Sequence, residues 1–318
     1  MSAAFSLDHH KEKPSLFIFG LGFTGLRFAV AAKALGYKVY GTVRSMEKAQ
    51  RLSEQLDGVF CFDQDNPLES QALEALAQSE AVLNGIPCAP DDPVYLHHHK
   101  DLAQKENLRW FAYLSTTVVY GDWDGAWVDE KSATRATSAR GQRRLQSEQQ
   151  WRALFAGRNK SLSCQVDIFR LAGIYGPKRN GLEALRANKK SQLIIKAGQV
   201  FSRVHVDDIV QTLIAALNKA NQERKQSRKD STTNVEIYNV CDLEPAPPQD
   251  VTAYCAQMLG KPLMARAAYD QAELSPMARS FYADNKRVSC LKIIQKLGVR
   301  HLYPNYRVGL MRLYKDLS

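Results

Sequence analysis

Gly20, Gly22 and Gly25, in Gly20-Leu21-Gly22-Phe23-Thr24-Gly25, are the first residues whose spacing has a chemical use. A G-x-G-x-x-G run between a strand and a helix lets backbone N–H groups come close to a pyrophosphate. Gly20 would allow the tight turn, Gly22 the approach of the phosphates, and Gly25 close packing of helix on strand. Phe23 and Thr24 then stand at the helix N-terminus, whose partial positive charge favours an anion. A glycine-rich turn with no ligand is the alternative, although glycines at these places weaken a helix start unless something must come close. About 20 residues further on, an acid would bind a ribose 2′-hydroxyl. The sequence there reads Gly41-Thr42-Val43-Arg44-Ser45. Arg44 suits a 2′-phosphate through charge-assisted hydrogen bonds, where an acid would repel it. The pattern favours NADP(H), with NAD as second choice; an ordinary exposed arginine is the competing explanation.

The elements needed to position this turn are legible around it. Leu16-Phe17-Ile18-Phe19 is a short apolar run, an alanine-rich segment spans 26–35, Gly36 reads as a helix stop, and 37–43 reads as a second strand. Further strands are expected at 58–62, 81–83, 110–114, 165–171 and 235–240, with helices at 46–56, 68–78, 94–106, 138–155 and 206–220 between them. Such alternation predicts an α/β fold, a doubly wound Rossmann parallel sheet with helices on both faces. Residues 175–199 and those after 241 break the alternation on the carboxyl side of strands, where such sheets place ligands. They predict a small C-terminal substrate lobe. The expected division is 14–172 and 200–241 for the dinucleotide-binding domain, and 173–199 and 242–318 for the lobe. The polar stretch 221–234 reads as a surface loop, and no internal repeat is found.

Composition narrows the partners. With 45% hydrophobic and 24% charged residues, the 318-residue chain can bury a sizeable core. No apolar run approaches the roughly 20 residues that span a bilayer, and residues 1–13 lack the apolar stretch of a secretory signal. Cys61, Cys88, Cys164, Cys241, Cys255 and Cys290 are widely spaced with no Cys-x-x-Cys pair, which argues against a metal site or disulfide framework and for a reducing, cytoplasmic setting. The formal charge of +10 favours anionic small molecules. Basic clusters at 135–144 and 224–229 lack interleaved aromatics, so neither nucleic acid nor membrane is expected as a partner. A small, anionic substrate is, with the chain as monomer or homodimer.

Several motifs jointly point to a family. They are Phe62-Asp63, Leu114-Ser115-Thr116-Thr117-Val118-Val119-Tyr120-Gly121, Phe169-Arg170-Leu171-Ala172-Gly173-Ile174-Tyr175-Gly176-Pro177 and Val204-His205-Val206-Asp207-Asp208. With the glycine turn, their order resembles the extended short-chain dehydrogenase/reductases of the NAD-dependent epimerase/dehydratase type, over about residues 16–260. The resemblance implies that Asp63 lies near the adenine, that Asn84, Ile86 and Pro87 line the cofactor, and that Ser115 lies beside it. It also implies that Thr116 bonds a substrate carbonyl or hydroxyl, and that Gly173 and Ile174 flank the nicotinamide. Asp207 and Asp208 read as structural, complementing a helix dipole, and His205 as a packing residue rather than a base.

The chain departs from that family where the acid should be. The family's Tyr-x-x-x-Lys, followed four residues later by Glu, falls here on Arg140, Arg144 and Glu148. A guanidinium stays protonated and is a poor proton donor near neutral pH. Arg140 and Arg144, at i and i+4, share a helix face. They would bind an anion or stabilise an oxyanion, unless Arg144 merely pairs with Glu148 on a solvated surface. Thr116, Tyr120, Arg140 and Arg144 are the catalytic candidates, with Tyr175 a further phenol that packing explains equally well. His97-His98-His99 sit consecutively on one helix and so point different ways. Arg203, Arg279, Lys286 and Arg287 could hold an anionic substrate, or be solvated charge. Two functions remain open: an NADP(H)-dependent oxidoreductase or epimerase-like enzyme on a sugar or nucleotide-sugar derivative, and a non-catalytic, redox-sensing dinucleotide-binding protein.

Overall fold

The computed structural model describes residues 13–159, 162–188, 192–226 and 233–317. The chain begins with β1 (Ser15–Phe19), α1 (Phe23–Ala34), β2 (Lys38–Val43), α2 (Met46–Ser53) and β3 (Gly58–Cys61). It continues through α3 (Ser70–Gln78), β4 (Ala81–Asn84), α4 (Pro93–Gln104) and β5 (Trp110–Thr116). A 3-10 turn (Thr117–Tyr120), β6 (Trp127–Val128), α5 (Ala139–Ala156) and β7 (Gln165–Leu171) follow. Next come β8 (Gly173–Tyr175), α6 (Gly181–Arg186), β9 (Leu193–Ile195), β10 (Arg203–His205), α7 (Val206–Gln226) and β11 (Asn234–Val240). The remainder is α8 (Pro248–Met258), β12 (Arg266–Ala268), α9 (Pro276–Ala283), β13 (Arg287–Val288), α10 (Leu291–Leu297) and α11 (Tyr306–Lys315).

Seven strands form one parallel sheet in the order β11-β7-β5-β4-β1-β2-β3. Its central strands are continuously apolar because both faces are covered. Alternate residues of β1 serve opposite faces: Leu16 and Ile18 pack with Phe28, Ala29 and Ala32, while Phe17 and Phe19 pack with Phe62, Leu76, Val94 and Leu102. The strand order reverses between β1 and β4, which opens a crevice at their carboxyl ends. The sequence-based strands and helices coincide with this sheet and its covering helices. One difference is α7, which runs to Gln226 and takes up the start of the stretch read as a loop; residues 227–232, like 1–12 of the polar N-terminal segment, lie outside the described residues.

A separate apolar cluster gathers Tyr175, Leu182, Leu185, Ala246, Cys255, Ala256, Tyr306, Leu310 and Leu313, all from the stretches expected to form a lobe. Val288, Cys290, Ile293 and Val299, which the sequence assigned to the lobe, instead pack in the sheet's own core with α7 and β11. Three short parallel pairs lie outside the main sheet: β8 with β10, β9 with β12, and β6 with β13. Asp242, just past β11, is buried with one carboxylate oxygen accepting from the Glu244 N–H at 3.2 Å and the other without a partner among the described residues. Burial pushes this carboxyl up to about 8. Among the described residues, no helix is long and apolar enough to cross a membrane.

Candidate functional site

The glycine turn lies at the carboxyl end of β1, beside the crevice. Gly20 has φ +93°, a conformation open to glycine, and its N–H donates to Thr42 Oγ1 at 2.9 Å. The Leu21 N–H donates to the Thr42 carbonyl at 2.7 Å. A Cβ on Gly25 would stand 2.2 Å from the Gly20 carbonyl oxygen, so helix and turn touch there. A Cβ on Gly22 would meet nothing within 4 Å. That open side adjoins the start of α1, which has no side-chain cap and no acid in its first turn. Free backbone donors beside open space are what a pyrophosphate requires. The residues present therefore fit a dinucleotide.

Arg44 is exposed at the end of β2, with no ion pair or hydrogen bond among the described residues. Ser45 begins α2 without a side-chain cap bond, and Lys48 Nζ donates to the Leu21 carbonyl at 2.8 Å. Asp63, after β3, is exposed and accepts from the N–H groups of Asp65 and Asn66, which hold its carboxyl below the usual range.

Beyond β4 the polar groups are buried and mutually engaged. Asn84 donates to both oxygens of Asp92 at 3.1 and 3.0 Å and accepts from the Ile86 N–H at 3.1 Å. Asp92 caps α4 and accepts from Trp151 Nε1 at 2.8 Å; burial pushes its carboxyl up. Asn84 thus shapes the segment carrying Ile86 and exposed Pro87. Ser115 Oγ donates to Glu148 Oε1 at 2.5 Å, and Glu148 forms a buried ion pair with Arg170 at 2.7 Å. Thr116, at the carboxyl end of β5, accepts weakly from the Val118 N–H at 3.3 Å, which leaves its hydroxyl hydrogen free to donate. In β8, Gly173 is exposed and Ile174, half-buried, pairs with Val204 of β10.

The Glu148–Arg170 pair corrects one reading of α5: Arg144 does not bond Glu148 on a solvated surface. Arg144 Nη1 instead reaches the Tyr113 hydroxyl at 2.9 Å, the Leu114 carbonyl at 3.0 Å and the Ile86 carbonyl at 3.3 Å. It spans the carboxyl ends of β4 and β5. Burial opposes its charge, but Tyr113 and Cys88 outweigh this and raise it above its ordinary value. Arg140, one turn earlier, is exposed, with its guanidinium 5.9 Å from the Phe281 ring of α9.

Tyr120 needs a correction too. It is wholly buried, and its hydroxyl donates to Asn239 Oδ1 at 2.7 Å. Burial pushes the phenol up to about 12, so it is a core group rather than a proton donor in the cleft. Tyr175 is likewise buried, its hydroxyl against the Gly309 backbone, and burial raises its phenol strongly. His205 packs between Tyr175 and Tyr303 at centroid distances of 5.2 and 4.0 Å. Asp208 accepts from the N–H groups of Leu302 and Tyr303. His97, His98 and His99 bond separately to the Gln64 carbonyl, to Asp101 and the Leu68 N–H, and to the Tyr95 carbonyl. Arg203, Arg279, Lys286 and Arg287 each donate to backbone carbonyls.

Sequence reasoning missed Gly41, Thr42, Lys48 and Arg179. A Cβ on Gly41 would stand 2.8 Å from the Leu21 side chain, and glycine inside a strand is the available signal of such close approach. Arg179 lies in the turn before α6, its guanidinium 5.4 Å from the Phe23 ring, which also carries Arg27 at 4.2 Å.

No family model matches the chain. A conserved protein of unknown function from Silicibacter pomeroyi is 39% identical, with TM-score 0.81 over 96% of this chain and 100% of that one. Protein YeeZ of Escherichia coli K12 is 25% identical over 299 residues, 91% of this chain and 96% of YeeZ. UDP-glucuronic acid 4-epimerase from Bacillus cereus, solved with UDP-glucuronic acid and NAD, is 18% identical, with TM-score 0.69 over 96% of this chain and 100% of that one. The chain is thus a relative of the Silicibacter pomeroyi protein, and its seven-stranded parallel sheet shares the fold of the epimerase.

Proposed function

We propose that the chain binds a nicotinamide dinucleotide, NADP(H) before NAD(H), and acts as an oxidoreductase or epimerase-like enzyme on a small polar or anionic molecule such as a sugar derivative. The observation that carries this reading is the open space at Gly22 beside the uncapped start of α1. The Bacillus cereus epimerase, which holds NAD on the same fold, supports it. When bound, the cofactor supplies a hydride acceptor or donor.

The chain's own groups then have distinct parts. Phe23 and Thr24 N–H groups would hold the pyrophosphate. Arg44, Ser45 and Lys48 would face a 2′-phosphate. Asp63 would lie near the adenine, Ile86 and Pro87 would line the cofactor, and Gly173 and Ile174 would flank the nicotinamide. Thr116 would donate its hydroxyl hydrogen to the reacting oxygen. Arg140 and Arg144 would stabilise negative charge there without giving up a proton, which water or the substrate must supply. No disulfide links cysteines among the described residues, as a reducing cytoplasm would allow. One observation favours the non-catalytic reading: Arg144 Nη1 is already shared among three protein acceptors.

Titration of NADPH and NADH into wild type and Arg44→Ala tests the proposal. Wild type should prefer NADPH, and Arg44→Ala should lose about 1.5–3 kcal/mol of NADPH affinity with little change for NADH. Equal affinities in wild type would overturn the NADP preference, and no binding of either would overturn the reading itself.

A further inference from the structure

We propose that Cys241, Cys290 and His301 form an oxidisable site, at which hydrogen peroxide joins the two thiols in a disulfide between the end of β11 and the start of α10. The reaction needs no bound dinucleotide.

The two segments that carry the cysteines lie side by side. Asn239 Nδ2 donates to the Ser289 carbonyl at 3.1 Å, and the Cys241 thiol donates to the Val288 carbonyl at 3.1 Å. The Cys290 thiol in turn points at the Asp242 carbonyl, 3.9 Å away. These bonds cross between residues 239–242 and 288–290, and so set Cys241 against Cys290. His301 ties the same pair together. Its Nε2 donates to the Cys241 carbonyl at 2.8 Å and stands 3.8 Å from the Cys290 sulfur. One imidazole nitrogen thus faces the backbone of one cysteine and the sulfur of the other.

A buried thiol is ordinarily a small hydrophobe, and both cysteines lie in the apolar core of the sheet. Cys164 behaves in that way: burial pushes its thiol up to about 11, where little thiolate exists near neutral pH. Cys290 goes in the opposite direction. The Cys241 thiol and the His301 imidazole beside it hold Cys290 below its ordinary value in spite of burial. Against burial, His301 is held above its own value by Cys290. A thiolate facing an imidazolium is the nucleophilic form of cysteine. Hydrogen peroxide is little larger than water, so local opening admits it to a buried pair.

The Cys290 thiolate attacks one peroxide oxygen and the O–O bond breaks, leaving a sulfenic acid on Cys290. The departing hydroxide takes up the Cys290 proton lodged on His301 and becomes water. The Cys241 sulfur then attacks the Cys290 sulfur, the S–O bond breaks, and a second water leaves with the Cys241 proton. Two thiols have lost two electrons and two protons, and the peroxide has been reduced to two waters. The new bond closes a loop over residues 242–289, which carry α8, β12 and α9.

The test is peptide mass mapping of the full chain after limiting hydrogen peroxide, with remaining thiols blocked by N-ethylmaleimide. A Cys241–Cys290 linked peptide is expected, with the thiol count falling by two from six and restored by dithiothreitol. Cys241→Ser should instead leave a sulfenic acid on Cys290, captured by dimedone. His301→Gln, which keeps a donor for the Cys241 carbonyl, should form the linkage at least about fivefold more slowly. Wild type alone can overturn the proposal: thiols at 241 and 290 that survive peroxide sufficient to oxidise the unfolded chain would do so, as would a linkage between any other pair. Equal rates in wild type and a folded His301→Gln would overturn it too.

Discussion

The β1–β2 side of the crevice is built from backbone, and the β4–β5 side from long side chains. On the first side Gly20, Gly22 and Gly25 are set by a left-handed turn, by open space and by a contact that a Cβ would close to 2.2 Å. On the second, Arg144, Ser115 and Asn84 work through side-chain bonds to Ile86, Glu148 and Asp92. Backbone geometry tolerates few residue types, whereas a side-chain site can change residues while the scaffold stays.

Substitutions at two neighbouring glycines should separate folding from binding. Gly25→Ala forces backbone apart and should lose on the order of 3 kcal/mol of stability, read by denaturant unfolding. Gly22→Val fills only open space, so unfolding should barely shift while NADPH affinity falls at least about 100-fold, roughly 2.7 kcal/mol. Normal binding by Gly22→Val would mean the backbone side is not the cofactor site.

Asp242 gives the pH dependence. Its folded value near 8 lies above its ordinary 3.8, so the folded chain holds a proton that the unfolded chain has lost between those limits. Stability contributed by this group is then full below about pH 4 and declines as pH rises to about 8, by as much as ~1.4 kcal/mol per unit for one proton. Asp242→Asn should flatten the decline between pH 5 and 8; parallel curves for wild type and variant would show the carboxyl to be ionised. The smallest effect is expected at Tyr120→Phe, which strands Asn239 Oδ1 and should cost about 1 kcal/mol. Cofactor binding should stay at the wild-type value, and its loss would bring Tyr120 back into the cleft.

The contrast between the two sides also explains what the sequence made legible. Alternating apolar runs and helical patterns sufficed for all seven strands of the main sheet, because each is a local signal. The glycine turn was readable for the same reason: its three residues lie within six positions. Arg144 could be placed at the site only through the spacing to Glu148, and its true partners were invisible because Ile86 and Tyr113 are 58 and 31 residues away. Glu148 itself looked like a surface acid, since nothing local marks burial of an ion pair with Arg170. Arg179 and Phe281 reach Phe23 and Arg140 from the lobe, a relation that no periodicity encodes. The lobe boundary failed at residues 288–299, whose apolar residues serve the sheet although they follow its last strand.

The contact of Tyr175 with Gly309 carries a consequence for the order of assembly. The lobe's core draws on residues 175–185, 246–256 and 306–313, so its closure joins segments more than a hundred residues apart. Bringing such distant segments together costs chain entropy that grows with the logarithm of the loop, and the cost falls before any packing repays it. On the β1–β2 side, the glycine turn needs only residues up to Val43 to make its bonds to Thr42. The dinucleotide turn can therefore form early, and the lobe's apolar cluster forms last. Until α8 docks on α6, Leu182 and Leu185 stand without their cover, and that interval is when the chain is most exposed to misassociation.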